Sequence, residues 1–154
     1  CYVSWLWANF LPHFGGEKET FVSVPDEGMD VTLNKLKLRF IPAHYLHSSG
    51  NLHLYDPEAR MYFSGDVGAA ILPEGAKADI FVQDFDRHLP YMKAFHQRWM
   101  PSNEAKNDWI DRVSSFKIDM LCPQHGAILQ GPDVAKFFQW LRELPVGIAI
   151  KAKK

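Results

Sequence analysis

Apolar and polar positions alternate along the first half of the chain and recur at helical steps along the second. Residues 1–12 are apolar and aromatic and read as a short strand running into a helical turn, closed by a loop at Pro12, Gly15 and Gly16. Phe21 to Val24 alternates and ends at Pro25; Asp26-Glu27-Gly28 reads as a turn and Met29 to Leu33 as the next short strand. Leu36, Leu38 and Phe40 then alternate with Lys35, Lys37 and Arg39, the period of two of a half-buried strand, which Pro42 stops. Asn51 to Tyr55 and Arg60 to Ser64 predict two more strands, joined tightly through Asp56-Pro57-Glu58-Ala59. Ala78 to Val82 predicts a compact strand. From Asp86 to Trp99 the period lengthens: Leu89, Met92, Phe95 and Trp99 recur at three- and four-residue steps, the buried stripe of a helix. Pro101 breaks it, and Ser102 caps a second helix with Trp109, Ile110, Val113 and Phe116 on its apolar side. Ile118 to Cys122 predicts a buried strand, and Asp133 to Leu144 a last amphipathic helix entered through Gly131-Pro132. This order predicts an α/β (α+β layered) architecture, a mixed sheet with helices packed on it. No repeat or internal linker interrupts it, so residues 1–154 read as a single domain.

Composition agrees and excludes some functions. A chain of 154 residues suits one core. At 47% hydrophobic and 14% aromatic it is far from a disordered composition. A net charge of -1 argues against a general nucleic-acid or anionic-membrane binder, and the Lys151-Ala152-Lys153-Lys154 tail reads as a solvated terminus. No stretch approaches the roughly 20 apolar residues of a membrane span, and no signal peptide is visible. Two cysteines, Cys1 and Cys122, are too few for a disulfide framework and suggest a reducing, cytoplasmic setting, with Cys122 a small buried hydrophobe. The chain opens on Cys1 inside an apolar segment, where a frayed polar terminus is usual, and this suggests that a preceding part exists.

Seven histidines are spread along the chain, and three segments stand out because each follows a predicted strand. Pro42 to Asn51 carries His44 and His47 in a polar turn. Phe63-Ser64-Gly65-Asp66-Val67-Gly68 delivers an aspartate into a glycine-flanked turn, and Leu121-Cys122-Pro123-Gln124-His125-Gly126 delivers a histidine beside a glycine. Glycine permits close backbone approach, and strand ends of layered α/β folds are where sites are built. Imidazole and carboxylate suit zinc or iron, and a carboxylate can bridge two cations. Spacing alone leaves open the plainer reading, in which Asp66 caps a turn and His47 and His125 are polar loop residues.

Together the three segments resemble the metallo-β-lactamase superfamily. His47 of His47-Ser48-Ser49-Gly50 matches its His-x-x-Gly turn, Asp66 of Ser64-Gly65-Asp66 its strand-end aspartate, and His125 of His125-Gly126 its late histidine. The 19-position spacing from His47 to Asp66, the Pro123-Gln124-His125-Gly126 ending, and the runs Pro42 to Ala70 and Asp84 to Asn103 look most like the flavodiiron-related oxygen-binding diiron proteins. The resemblance covers roughly residues 10–148. It implies half of a metallo-β-lactamase-type αββα sandwich with two metal ions, iron preferred and zinc the alternative. His47 would bind the first, His125 the second, and Asp66 would bridge them. His44 falls one step early for the pattern and is expected to line the pocket or hold a ligand from behind. His88 and His96 are expected at the surface or in the core, with an access route as the alternative. Phe63, Tyr62, Phe85 and Trp99 are expected to line the site and keep it dry.

The family's first ligand motif, His-x-[His/Glu]-x-Asp-His, does not occur in this sequence. The chain therefore reads as the C-terminal part of a longer protein, or as one whose partner chain supplies the rest, with a homo-oligomer or a missing N-terminal half completing the site. No flavodoxin module or phosphate loop is present, so the resemblance implies an external electron donor and no flavin in this chain. Three functions follow: a non-haem diiron protein that binds or reduces O2 or NO; a dinuclear zinc hydrolase, in which metal-bound hydroxide attacks a carbonyl or phosphoryl group; or a metal-free incomplete fragment without activity.

Overall fold

The computed structural model describes residues 1–76 and 79–149. The Lys151–Lys154 tail and the first residue of the strand expected over 78–82 lie outside them. A strand β1 (Tyr2–Ser4) runs into one helical turn, α1 (Trp5–Ala8), and pairs in parallel with β2 (Val22–Val24). The main sheet holds β3 (Met29–Leu33), β4 (Leu36–Pro42), β5 (Leu52–Asp56), β6 (Met61–Phe63), β7 (Met120–Cys122) and β8 (Leu129–Gln130), in that order across its width. Every neighbouring pair is antiparallel except β6 with β7. Helices α2 (Phe85–Trp99), α3 (Asn103–Val113) and α4 (Pro132–Glu143) supply the other layer.

Alternation explains the layering. His53 and Tyr55 of β5, Tyr62 of β6 and Leu121 of β7 point into the core, while their neighbours in sequence are only half-buried or exposed. The inward face meets Met92 of α2, Trp109, Ile110 and Val113 of α3, and Val134, Phe137 and Leu141 of α4. The opposite face leaves Phe63 42% exposed. The helices cover one face of the sheet, and on the other Tyr2 packs on half-buried Phe40 with ring centroids 4.8 Å apart, an arrangement that matches a partial metallo-β-lactamase-like sandwich.

Several boundaries differ from expectation for identifiable reasons. Pro42 stays in β4 as the last paired residue, opposite Leu52. The expected strand over Ala78 to Val82 reduces, among the described residues, to one bridge between Phe81 and Ile128, because Asp84 already caps α2. Phe116 lies beyond the end of α3 and stacks on Tyr55, with ring centroids 4.9 Å apart. Cys122 is half-buried rather than buried, and both cysteines are free thiols. The Asp56 turn forms as expected, its carboxylate accepting from the amides of Glu58 and Ala59 at 2.9 Å each. No helix among the described residues is long and apolar enough to cross a membrane.

Two buried polar devices lock the helices onto the sheet. Lys106 of α3 is 1% exposed, and its Nζ donates to the carbonyls of Leu144 at 2.5 Å and Arg142 at 3.1 Å. A cation there satisfies carbonyls that the end of α4 leaves unpaired and favours the negative end of its dipole. Beneath the sheet, Trp109 Nε1 donates to the Tyr62 hydroxyl at 2.9 Å, and that hydroxyl lies 3.1 Å from His53 Nδ1. The Asn51 amide lies 3.2 Å from His53 Nε2. Burial pushes His53 down to about 3, so its imidazole is neutral.

Replacing Lys106 with Met is expected to lower unfolding free energy by about 2–3 kcal/mol in urea titrations, because two buried carbonyls lose a charged donor. Acid is expected to destabilise the fold through its buried imidazoles. An unfolded histidine takes up a proton near 6.5, whereas His53 resists down to about 3 and His96 to about 4. Stability is then flat above pH ~6.5 and falls below it by up to about 1.4 kcal/mol per pH unit for each histidine, levelling off as each folded pKa is passed. A urea midpoint measured from pH 7 to 5 is expected to fall, and to fall less steeply in His53→Gln.

Candidate metal centre

Strand polarity brings three loops to one end of the sheet. The parallel pair β6–β7 ends in register at Phe63 opposite Cys122, and Asp66 and His125 each stand three residues beyond. The turn between β4 and β5 opens at the same end, because β5 runs antiparallel to both β4 and β6. That turn carries His47.

Each loop is built to hold its side chain. In the first, Ala43 N–H donates to Asn51 O at 2.8 Å and Tyr45 N–H to Ser48 O at 2.9 Å, while buried Leu46 anchors the turn in the core. Trp7 Nε1 donates to Ser49 O at 2.6 Å. His44 ties the turn down: its Nδ1 accepts from Gly50 N–H at 3.2 Å, and its Nε2 lies 2.7 Å from Asp26 Oδ1. In the second loop, fully buried Ser64 donates from Oγ to Val67 O at 2.6 Å, closing the turn around Asp66. The third loop is fastened to the second by Gln124 N–H to Gly65 O at 2.6 Å and Ala70 N–H to His125 O at 3.1 Å. Gly126 makes this approach possible: it sits at φ +109°, and a Cβ there would come within 3.0 Å of Ala70 N.

Asp66 is the meeting point. Its Oδ2 lies 2.8 Å from His47 Nε2, and its Oδ1 lies 3.8 Å from His125 Nε2. Its side chain is 13% exposed, against 44% for His47 and 66% for His125. Oδ1 is buried without a hydrogen-bond partner. An unpartnered buried carboxylate oxygen costs more than the roughly 1–3 kcal/mol of a neutral group, so this atom calls for a cation or a donor. Imidazole on each side of a two-oxygen carboxylate fits zinc or iron. The fit is partial: among the described residues no group of three or more His, Cys, Asp or Glu is gathered closely enough to hold a metal ion. His125, beyond hydrogen-bond distance, is the outlier.

The surrounding residues separate into different roles. Trp99 stacks on His47, the rings 4° from parallel and 5.8 Å between centroids. Two of the other aromatic residues expected to line the site sit elsewhere: Tyr62 is in the core under the sheet, and Phe85 starts α2 beneath the Lys136 ammonium. His125 is two-thirds exposed on its side of Asp66. His88 is nearly buried and lines a separate cavity of about 250 Å³ with Asp84, Arg87 and Tyr91. His96 is fully buried; its Nδ1–H donates to Met92 O at 2.7 Å and its Nε2 accepts from Gly68 N–H at 2.9 Å. Burial holds it neutral, down to about 4. Its contact with the Asp66 turn escaped the sequence reading, although a histidine in the apolar stripe of Met92 and Trp99 was a visible signal.

Comparison with known proteins follows the same lines. Residues 1–126 match the family described as "ODP family beta lactamase". An uncharacterized protein of Methanocaldococcus jannaschii is 25% identical over 122 residues, covering 76% of this chain and 30% of that protein. The apo state of the chemotaxis sensor ODP from T. denticola superposes with a TM-score of 0.86 at 39% identity, over 96% of this chain and 60% of the sensor chain. A peroxy diiron species of chemotaxis sensor ODP gives 0.85 at 38% identity, over 97% and 62%. Rubredoxin oxygen:oxidoreductase from the anaerobe Desulfovibrio gigas, at 16% identity and a TM-score of 0.78, shares the fold over 92% of this chain and 36% of its own. The chain thus spans about three-fifths of the sensor chains it matches. Since the family match takes in most of the sequence, the chain belongs to the ODP family of beta-lactamase-fold proteins.

Proposed function

We propose that this chain forms one wall of a non-haem diiron centre that binds dioxygen or nitric oxide, with His47 on one iron, His125 on the other and Asp66 between them. The observation that carries this reading is the Asp66 carboxylate, which turns one oxygen toward each imidazole and leaves Oδ1 buried without a hydrogen-bond partner. The 38–39% identity to a chemotaxis sensor with a diiron state supports iron over zinc. The remaining ligands would come from polypeptide outside this chain, in line with the three-fifths of the sensor's length that it spans.

Two irons, when bound, supply open coordination positions and electrons for a diatomic ligand. The chain's own residues orient and gate. Trp99 holds the His47 ring flat against it, and His44, anchored by Asp26 and Gly50, keeps the His47 turn closed. Exposed His125 leaves one approach to Asp66 open to a small molecule. A dinuclear zinc hydrolase would use the same three side chains.

The test is metal content and affinity. Protein loaded anaerobically with Fe²⁺ in competition with Zn²⁺ is expected to retain iron and to develop visible absorption on exposure to oxygen. Asp66→Asn is expected to weaken iron binding by about 100-fold or more, since it removes the charge and the bridging oxygen. Retention of zinc alone, or iron uptake indifferent to Asp66, would overturn the proposal.

A further inference from the structure

We propose that His96 is a positioning residue for this centre: its Nε2 holds the Gly68 amide and so sets the Asp66 carboxylate between His47 and His125. The inference rests on Asp66 being a ligand, as proposed above, and assigns the side chain that keeps it in place.

Asp66 sits in a turn whose backbone is held by hydrogen bonds rather than by side chains on the flanking glycines. Gly65 before it and Gly68 after it both lie at positive φ, 53° and 98°. Neither carries a side chain to anchor the backbone, so a modest change in their torsions swings the carboxylate. Neighbouring amides are tied to backbone carbonyls: Val67 N–H to Ser64, Ala69 N–H to Asp66, Ala70 N–H to His125 and Ile71 N–H to Tyr91. The Gly68 amide instead donates to a side chain, that of His96.

The imidazole is well suited to this. Met92 O can only accept, so His96 Nδ1 carries the proton; the Gly68 amide can only donate, so Nε2 is bare. With both nitrogens engaged, the ring cannot turn without breaking a buried hydrogen bond. His96 is fully buried and packed edge-on against Phe137 and Trp140, where an apolar side chain would leave the buried Gly68 amide without an acceptor. The same helix touches the other ligand turn as well, since Trp99, three residues on, stacks on His47. The last turn of α2 therefore braces both the Asp66 and the His47 segments.

The test uses two substitutions that each keep half of the imidazole's function. In His96→Gln the amide oxygen can reach the place of Nε2 and still accept from Gly68. In His96→Asn the amide reaches only the place of Nδ1, keeping Met92 and losing Gly68. Co²⁺ affinity of the chain, followed by visible absorption, is expected to stay within about 3-fold for Gln and to fall about 10- to 100-fold for Asn, with similar urea midpoints for the two. Equal affinities in the two variants, or tighter binding by Asn, would overturn the proposal. The unaltered ¹⁵N-labelled chain supplies a second reading through long-range ¹H–¹⁵N spectra of its histidines. Zn²⁺ titration is expected to shift His96 Nε2, while a static His96 resonance counts against the role even if neither variant folds. Absence of Co²⁺ uptake by the unaltered chain together with the polypeptide that supplies the remaining ligands sinks the metal-centre reading along with this one; uptake indifferent to residue 96 sinks this one alone.

Discussion

Parallel pairing of β6 with β7 is the constraint on which the rest of the structure depends. A parallel pair cannot be joined by a tight turn and needs a long crossover, which here runs from Phe63 to Met120 and contains α2 and α3. Because the two strands point the same way and end in register, the loops that follow them emerge side by side. Asp66 and His125 are thereby brought together from sequence positions far apart. The crossover then folds back over the covered face of the sheet, and its helix α2 reaches the loop it started from, through His96 to Gly68 and through Trp99 to His47.

Buried polar groups divide into two kinds. Ser64, His53, His96 and Lys106 are almost wholly removed from water, and each has its hydrogen-bonding atoms met by a nearby backbone or side-chain group. The two imidazoles are neutral because a buried charge without a counter-ion is too costly, and neutrality is what allows His96 to accept a hydrogen bond. Asp66 is of the other kind. It keeps a buried oxygen with no hydrogen-bond partner, at the one place where two imidazoles also point. His88 Nε2 and Asn107 Oδ1 are also buried without a partner, and what sets Asp66 apart from them is the pair of imidazoles beside it.

The chain shares its fold with rubredoxin oxygen:oxidoreductase and its family with the chemotaxis sensor ODP, but it spans only part of either. His47, Asp66 and His125 meet at one end of the sheet, and among the described residues no group of three such donors is gathered closely enough to hold a metal ion. The three loops fix which oxygen of Asp66 faces which imidazole and leave His125 two-thirds exposed.

Much of this was legible in the residues themselves. Alternation in Leu36 to Phe40 and the three- and four-residue steps of α2 are local signals, because the period of a strand or a helix is imposed by neighbours along the chain. The segments carrying His47, Asp66 and His125 were legible for the same reason: each is a strand followed by a turn with glycine at a required position. What tertiary structure alone decided was partnership. Nothing local to His44 says that it faces Asp26, and nothing local to Tyr62 says that it turns to His53 and Trp109 rather than to the site. The sequence leaves His96 at the surface, in the core or along an access route, and only the crossover places Gly68 against it. A hydrogen bond between residues distant in sequence depends on strand order, register and helix placement together. Those follow from packing the whole core, which no short stretch of sequence contains.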